Sequence, residues 1–277
     1  MGPRPPAAID HGRTRRPGEV EPRPPDSFDH DGVRLAFRSL PGREPTVVYL
    51  TGFKSDMEGR KARRVASACR ERGLASFRFD HRGHGASGGA LESGSVGVWF
   101  RDALALLRAR LRGELVLVGA SMGVWLMLLL ARASGRGEVG RVRGLIGIGG
   151  GADFADRLPT LTAAERRELR RSGIVWRPSR YGDGPYPLTE RMVEDGRRHR
   201  VLAKRWDPGC PVRLLHGMRD PDVPWPESVA VAESLVGGSA RVTLIPDGDH
   251  RLSRDSDLDR LERALDEVLA APVGRSR

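Results

Sequence analysis

A hydroxyl, a carboxylate and an imidazole stand in this chain in the order Ser121, Asp220, His250. Ser121 is the centre of Gly119-Ala120-Ser121-Met122-Gly123, flanked by apolar runs at 115–118 and 124–131. A strand that turns abruptly into a helix around Gly-x-Ser-x-Gly holds the serine in a strained conformation, and only small neighbours let strand and helix pack so closely. The hydroxyl is then exposed at a helix N-terminus, where negative charge is favoured. The plainer reading of the motif is a glycine turn whose serine caps a helix. The strand before and the helix after favour the nucleophile.

A serine hydroxyl at neutral pH needs a base within hydrogen-bond reach, and the base needs a carboxylate to orient it. On a strand–turn–helix scaffold of this kind the acid and then the base follow the serine, each on a loop after a strand. Seven histidines are present. His11 lies in a proline-rich tail, His30, His81 and His84 precede Ser121, His199 lies in a central insertion, and His216 ends a strand. His250 remains, in Pro246-Asp247-Gly248-Asp249-His250 between a strand at 242–245 and a last helix at 258–269. For the acid, Asp220 is preferred and Asp222 is the runner-up, both in the loop after a strand at 212–215. Two backbone N–H groups must hold the oxyanion of a tetrahedral intermediate. Met122, just after the serine, offers one, and Phe53, after a strand at 46–51, offers the other.

The elements that must position these groups alternate. Strands read at 33–39, 46–51, 75–79, 115–118, 144–148, 212–215 and 242–245, from β-branched and aromatic runs between Gly, Pro and Asp. Helices read at 96–111, after the elbow, at 227–235 and at 258–269. A further helix carries Ala62, Val65, Ala66 and Cys69 on one face and stops at Gly73, with Ser55-x-x-Glu58 as its expected capping box. This alternation predicts an α/β fold, a mostly parallel sheet with helices on both faces and its site beyond the strand C-termini. Residues 1–26 hold seven of the twenty prolines and read as a disordered tail, and 27–277 read as one domain with a lid inserted at about 152–207. That insertion breaks the alternation, contains a second capping box at Thr162-x-x-Glu165, and supplies Ile174, Val175, Trp176 and Tyr181 as an expected apolar substrate pocket. Asp80 to Gly89 is a Gly-rich loop without the lysine and spacing of a phosphate loop. It reads as a structural turn, with Arg82 as an internal ion-pair partner.

At 277 residues and 39% hydrophobic content the chain can bury a large core. The formal charge is +11, but the arginines are dispersed among acids rather than blocked, which disfavours a nucleic-acid partner. No apolar run is long enough to span a bilayer and no secretory leader is seen, so the expected location is cytoplasmic. Cys69 and Cys210 read as buried thiols. No Cys/His cluster has metal-ligand spacing, and neither metal nor cofactor is expected.

These residues together resemble the α/β-hydrolase superfamily over roughly 28–271, and within it the thioesterase and acyl-glucuronide esterase branch. The segments that carry the resemblance run 50–57, 77–80, 119–128, 211–218, 223–225 and 249–251. It implies Ser121, Asp220 and His250 as a triad, Phe53 and Met122 at the oxyanion hole, and cleavage of carboxylic esters or thioesters, on small molecules or acylated proteins, through an acyl-serine. The alternative is a non-catalytic ligand-binding protein on the same scaffold.

Overall fold

The computed structural model describes residues 23–153, 161–180, 184–237 and 240–271. The strands in chain order are β1 (Asp26–His30), β2 (Val33–Leu40), β3 (Arg43–Leu50), β4 (Leu74–Phe79), β5 (Glu114–Ala120), β6 (Arg141–Ile148), β7 (Ile174–Arg177), β8 (Tyr186–Thr189), β9 (Val212–Gly217) and β10 (Ala240–Ile245). The helices are α1 (Arg60–Glu71), α2 (Val96–Arg110), α3 (Met122–Gly135), α4 (Ala163–Ser172), α5 (Glu190–Arg198), α6 (Pro226–Ser234) and α7 (Asp255–Ala270).

Eight strands form one sheet in the order β1-β2-β4-β3-β5-β6-β9-β10. The first two pairings are antiparallel, and from β4 onward every pairing is parallel. Strand β5 shows why the sheet is covered on both sides. Leu115 and Leu117 join a core layer with α2, α3 and α6, whereas Val116 and Val118 join the layer with α1 and α7. Successive side chains of a strand face opposite ways, and both faces here are apolar. Helix α3 is buried nearly all round from Met122 to Ala131, which explains its unbroken apolar sequence.

The chain runs from β3 outward to β4 and returns to the other side of β3 as β5. The strand order therefore reverses between β3 and β5, and a crevice opens at their C-terminal ends. The loop carrying Phe53 leaves β3 and the turn carrying Ser121 leaves β5. The loops carrying Asp220 and His250 leave the adjacent strands β9 and β10.

Two local expectations change. Ser55-x-x-Glu58 does not cap α1, whose N-cap is Gly59 without a side-chain bond. Glu58 instead takes an ion pair from Arg38 and another from Arg78 at 3.3 Å, so two strand arginines outcompete the helix end for its carboxylate. The ordered strand β1 begins at Asp26, paired with Phe37, one residue inside the expected tail; residues 1–22 of that tail lie outside the described residues. Thr162 and Glu165 do form the reciprocal capping box that opens α4. Cys69 and Cys210 are both buried.

Between β6 and β9, α4 packs on the antiparallel β7–β8 hairpin and α5 follows. Leu169, Val175 and Leu188 are buried there but belong to neither of the two sheet layers, so this insertion has a small core of its own.

Candidate active site

Ser121 has φ 52° and ψ −119°, a left-handed conformation that a non-glycine residue adopts only under constraint. The constraint is the close crossing of strand and helix. A Cβ on Gly119 would stand 2.3 Å from the Gly123 carbonyl oxygen, and one on Gly123 would stand 2.3 Å from the Leu50 carbonyl oxygen. Both glycines of the motif are therefore required by backbone contact, the second of them with β3 itself. The Ser121 N–H donates to the Ile148 carbonyl at 2.9 Å, which ties the turn to the end of β6.

Asp220 is half-buried by its backbone, but its carboxylate is fully enclosed. Oδ1 accepts the N–H groups of Asp222 and Val223, each at 2.8 Å. Oδ2 lies 2.7 Å from His250 Nδ1 and 3.3 Å from His216 Nε2. Burial by itself would raise the Asp220 pKa; the hydrogen bonds from His216 and His250, the attraction of His250 and the Val223 N–H together hold it well below the usual carboxylate range. The ionised carboxylate fixes the proton of His250 on Nδ1 and leaves Nε2 as the basic atom.

Consecutive glycines at the end of β6 bring the two halves together. A Cβ on Gly149 would lie 3.0 Å from the His250 carbonyl oxygen and 3.7 Å from Asp220 Oδ2, while one on Gly150 would lie 2.5 Å from the Ser121 carbonyl oxygen. The serine turn and the His–Asp pair are thus one residue apart along the same strand end. From the other side, a Cβ on Gly52 would lie 3.1 Å from Ser121 Cβ, so the Gly52-Phe53 loop borders the hydroxyl directly. Met122 is the first residue of α3, and its N–H has no acceptor within the helix.

The loop of Phe53 is braced from below. His81 donates from Nε2 to the Thr51 carbonyl at 3.3 Å, and burial, helped by neighbouring His84, pushes its pKa down to about 3, so it is a neutral strut. Asp80 accepts the Met57 N–H at 2.6 Å and the Ala86 N–H at 2.8 Å, joining the Phe53 loop to the Gly-rich loop. Arg82 meets Asp102 in a two-pronged ion pair at 2.9 and 2.8 Å, which fulfils the internal role read for it. Asp102 is only 1% exposed and also holds His30 Nδ1 at 2.7 Å.

Three of the expected substrate residues, Ile174, Val175 and Trp176, sit on β7. Val175 is buried inside the insertion, Ile174 is half-buried, Trp176 is 51% exposed, and Tyr181 lies outside the described residues. Among the described residues of the insertion, Tyr186 meets the Phe53 loop, edge-on to Phe53 at 5.8 Å between centroids. Lys54 Nζ donates to the Gly184 carbonyl at 2.8 Å, and Arg180 Nε faces Asp222 Oδ1 at 3.6 Å, so the insertion touches both the Phe53 loop and the Asp220 loop. Two residues were not singled out by sequence reasoning. Tyr186 was masked by the irregular proline-rich sequence around it. His216 reads in the sequence only as the end of a strand, although its four-residue offset from Asp220 is a usable signal.

Among the described residues, Asp220, Asp222 and His250 also form a group whose ligand atoms lie within 4.8 Å of one another. With Asp220 Oδ1 holding two N–H groups and Arg180 beside Asp222, the donors of that group are engaged in protein contacts. No described helix is long and apolar enough to cross a membrane.

A mostly parallel eight-stranded sheet with a strained serine turn at its switch point defines the α/β-hydrolase fold. Residues 43–181 match the family model described as serine aminopeptidase, S33, and the chain belongs to this family of α/β-hydrolases. It is 36% identical to mouse "Palmitoyl-protein thioesterase ABHD10, mitochondrial", across 85% of this chain and 78% of that protein. The solved structure of the mouse α/β-hydrolase domain-containing protein 10 superposes with a TM-score of 0.79 at 34% identity, covering 88% of this chain and 98% of that one. A solved structure from Agrobacterium vitis superposes with a TM-score of 0.82 at 36% identity, covering 89% of this chain and 99% of that one.

Proposed function

We propose that the protein hydrolyses carboxylic esters or thioesters through an acyl-Ser121 intermediate. The observation that carries this reading is the 2.7 Å pairing of His250 Nδ1 with the enclosed Asp220 carboxylate, beside a serine held at φ 52°. His250 Nε2 takes the proton of Ser121 as Oγ attacks the carbonyl carbon. The Phe53 and Met122 N–H groups receive the oxyanion, each worth on the order of 3 kcal/mol in the transition state. Collapse of the tetrahedral species expels the alkoxide or thiolate, which takes the proton back from His250. Water, deprotonated by the same nitrogen, then attacks the acyl carbon and releases the carboxylic acid and free Ser121.

The insertion between β6 and β9 acts as a lid in this reading, because Tyr186 packs on Phe53 and Arg180 faces the acid loop. The ABHD10 relatives are named as palmitoyl-protein thioesterases, so long-chain acyl thioesters belong beside short esters in the substrate panel. Those relatives are also named as mitochondrial, and cell fractionation distinguishes that location from the cytoplasmic one expected from the sequence. The test of the mechanism is labelling with a fluorophosphonate. Wild type should be labelled and Ser121→Ala should not; equal labelling of the two removes the assignment.

A further inference from the structure

The loop that presents His250 contains a strained residue of its own. Leu252 has φ 40°, in the left-handed region, although it is a bulky non-glycine residue. Such a conformation costs about 1–3 kcal/mol and persists only where the surroundings impose it. Three contacts impose it here. The Leu252 side chain is 2% exposed and anchored in the core layer with α7. Its N–H donates to Asp249 Oδ1 at 2.9 Å. Finally, one ammonium from a distant helix grips the oxygen atoms on both sides of it. Lys61 Nζ, on the first turn of α1, donates to the Arg251 carbonyl and also lies 3.3 Å from Ser253 Oγ.

The choice of lysine is itself informative. The chain carries 47 basic residues, yet lysine occurs only at 54, 61 and 204. Two of these three reach backbone oxygens bordering the site loops, Lys54 at Gly184 and Lys61 at Arg251. A compact ammonium with three rotatable donors fits between converging oxygens where a planar guanidinium does not. Asp249, Arg251 and Asp257 are the charged groups around Lys61, and burial is the main influence that lowers its pKa, to about 8.

We propose that Lys61 is a positioning residue for His250: by pinning the Arg251 carbonyl and the Ser253 hydroxyl it fixes the strained turn from which the imidazole reaches Ser121. The proposal rests on the acyl-Ser121 reading above. Lys61 touches no reacting atom and acts only through the loop. His250 serves both acylation and deacylation, so a misplaced loop slows turnover per active site while leaving the Phe53 loop and the insertion that packs on it in place.

The experiment titrates competent sites of the full chain with a fluorophosphonate to end point. It then measures kcat and KM on a p-nitrophenyl ester per titrated site. Lys61→Met should keep full stoichiometry, lower kcat at least tenfold and leave KM within about twofold. Lys61→Arg keeps the charge but not the compact ammonium that fits between the two oxygens, so it should also lower kcat; full kcat in Lys61→Arg would mean that charge alone carries the effect and would overturn the proposal. A Lys61→Met protein with reduced stoichiometry but normal kcat per site shows a purely structural role and overturns the proposal, as does an unchanged kcat. Should Lys61→Met yield no titratable sites, Lys61→Gln carries the same comparison. His250→Ala is run in parallel: if it keeps wild-type turnover, the base assignment itself fails, independently of Lys61.

Discussion

Replacing Asp220 by Asn changes one atom, and its consequence can be followed through the hydrogen bonds. The new amide has one oxygen and one NH2 group to place. If the NH2 faced the Asp222 and Val223 N–H groups, both now 2.8 Å from Oδ1, two donors would be left opposing a third. Each buried N–H so orphaned costs about 1–3 kcal/mol, so the amide oxygen stays on that side. The NH2 then faces His250 Nδ1 at the 2.7 Å contact, where only a lone pair is tolerated. His250 must shift its proton to Nε2, the atom that accepts the proton of Ser121 in the proposed mechanism. A base locked in the wrong tautomer loses about 10⁴-fold in rate, or about 5.4 kcal/mol. The assay is kcat/KM on a p-nitrophenyl ester, with thermal unfolding to verify the fold. Asp222→Asn is the control, since Asp222 is exposed and its Oδ1 faces Arg180 at 3.6 Å, while the 2.7 Å contact to His250 Nδ1 belongs to Asp220. Asp220→Asn retaining more than about 1% of activity in a folded protein refutes the reasoning, and a large loss confined to Asp222→Asn moves the acid to the neighbouring position.

Further outcomes follow from the same contacts. Gly123→Ala drives a methyl to 2.3 Å from the Leu50 carbonyl. It should destabilise by about 1–3 kcal/mol and slow fluorophosphonate labelling, read by thermal melts and labelling kinetics. Asp102→Ala leaves Arg82 and His30 without their shared buried carboxylate. Chemical denaturation should show a loss of about 3–5 kcal/mol, and a loss below 1 kcal/mol would mean that the network is solvated. Lys61 has a folded pKa of about 8 against 10.5 for the free side chain, because burial disfavours the charge. Between these values the unfolded chain binds more protons than the native one, so this group's contribution to stability rises with pH across that window. Urea unfolding at pH 7.5 and 10 should show wild type gaining relative to Lys61→Met, and a gap that stays constant or narrows contradicts that sign.

Local chemistry made much of this protein legible in its residues. The alternation of apolar runs with glycine turns required a parallel sheet covered on both faces, because runs such as 115–118 have no polar face to give to water. The chain order of Ser121, Asp220 and His250, each just past a strand, was likewise readable, since loops after parallel strands converge at one edge. Spacing could not choose between two uses of one carboxylate. The Ser55–Glu58 pattern reads as a cap, yet Glu58 turns to arginines 20 residues away on neighbouring strands. The same holds for Tyr186 on Phe53 and for Lys61 on the His250 loop. These contacts join elements separated by up to 192 residues, and their energies depend on distances that exist only after the sheet has assembled. Periodicity records what each segment must bury, whereas the pairing of polar groups across the fold is decided by the enclosed geometry in which an unpartnered charge is most costly.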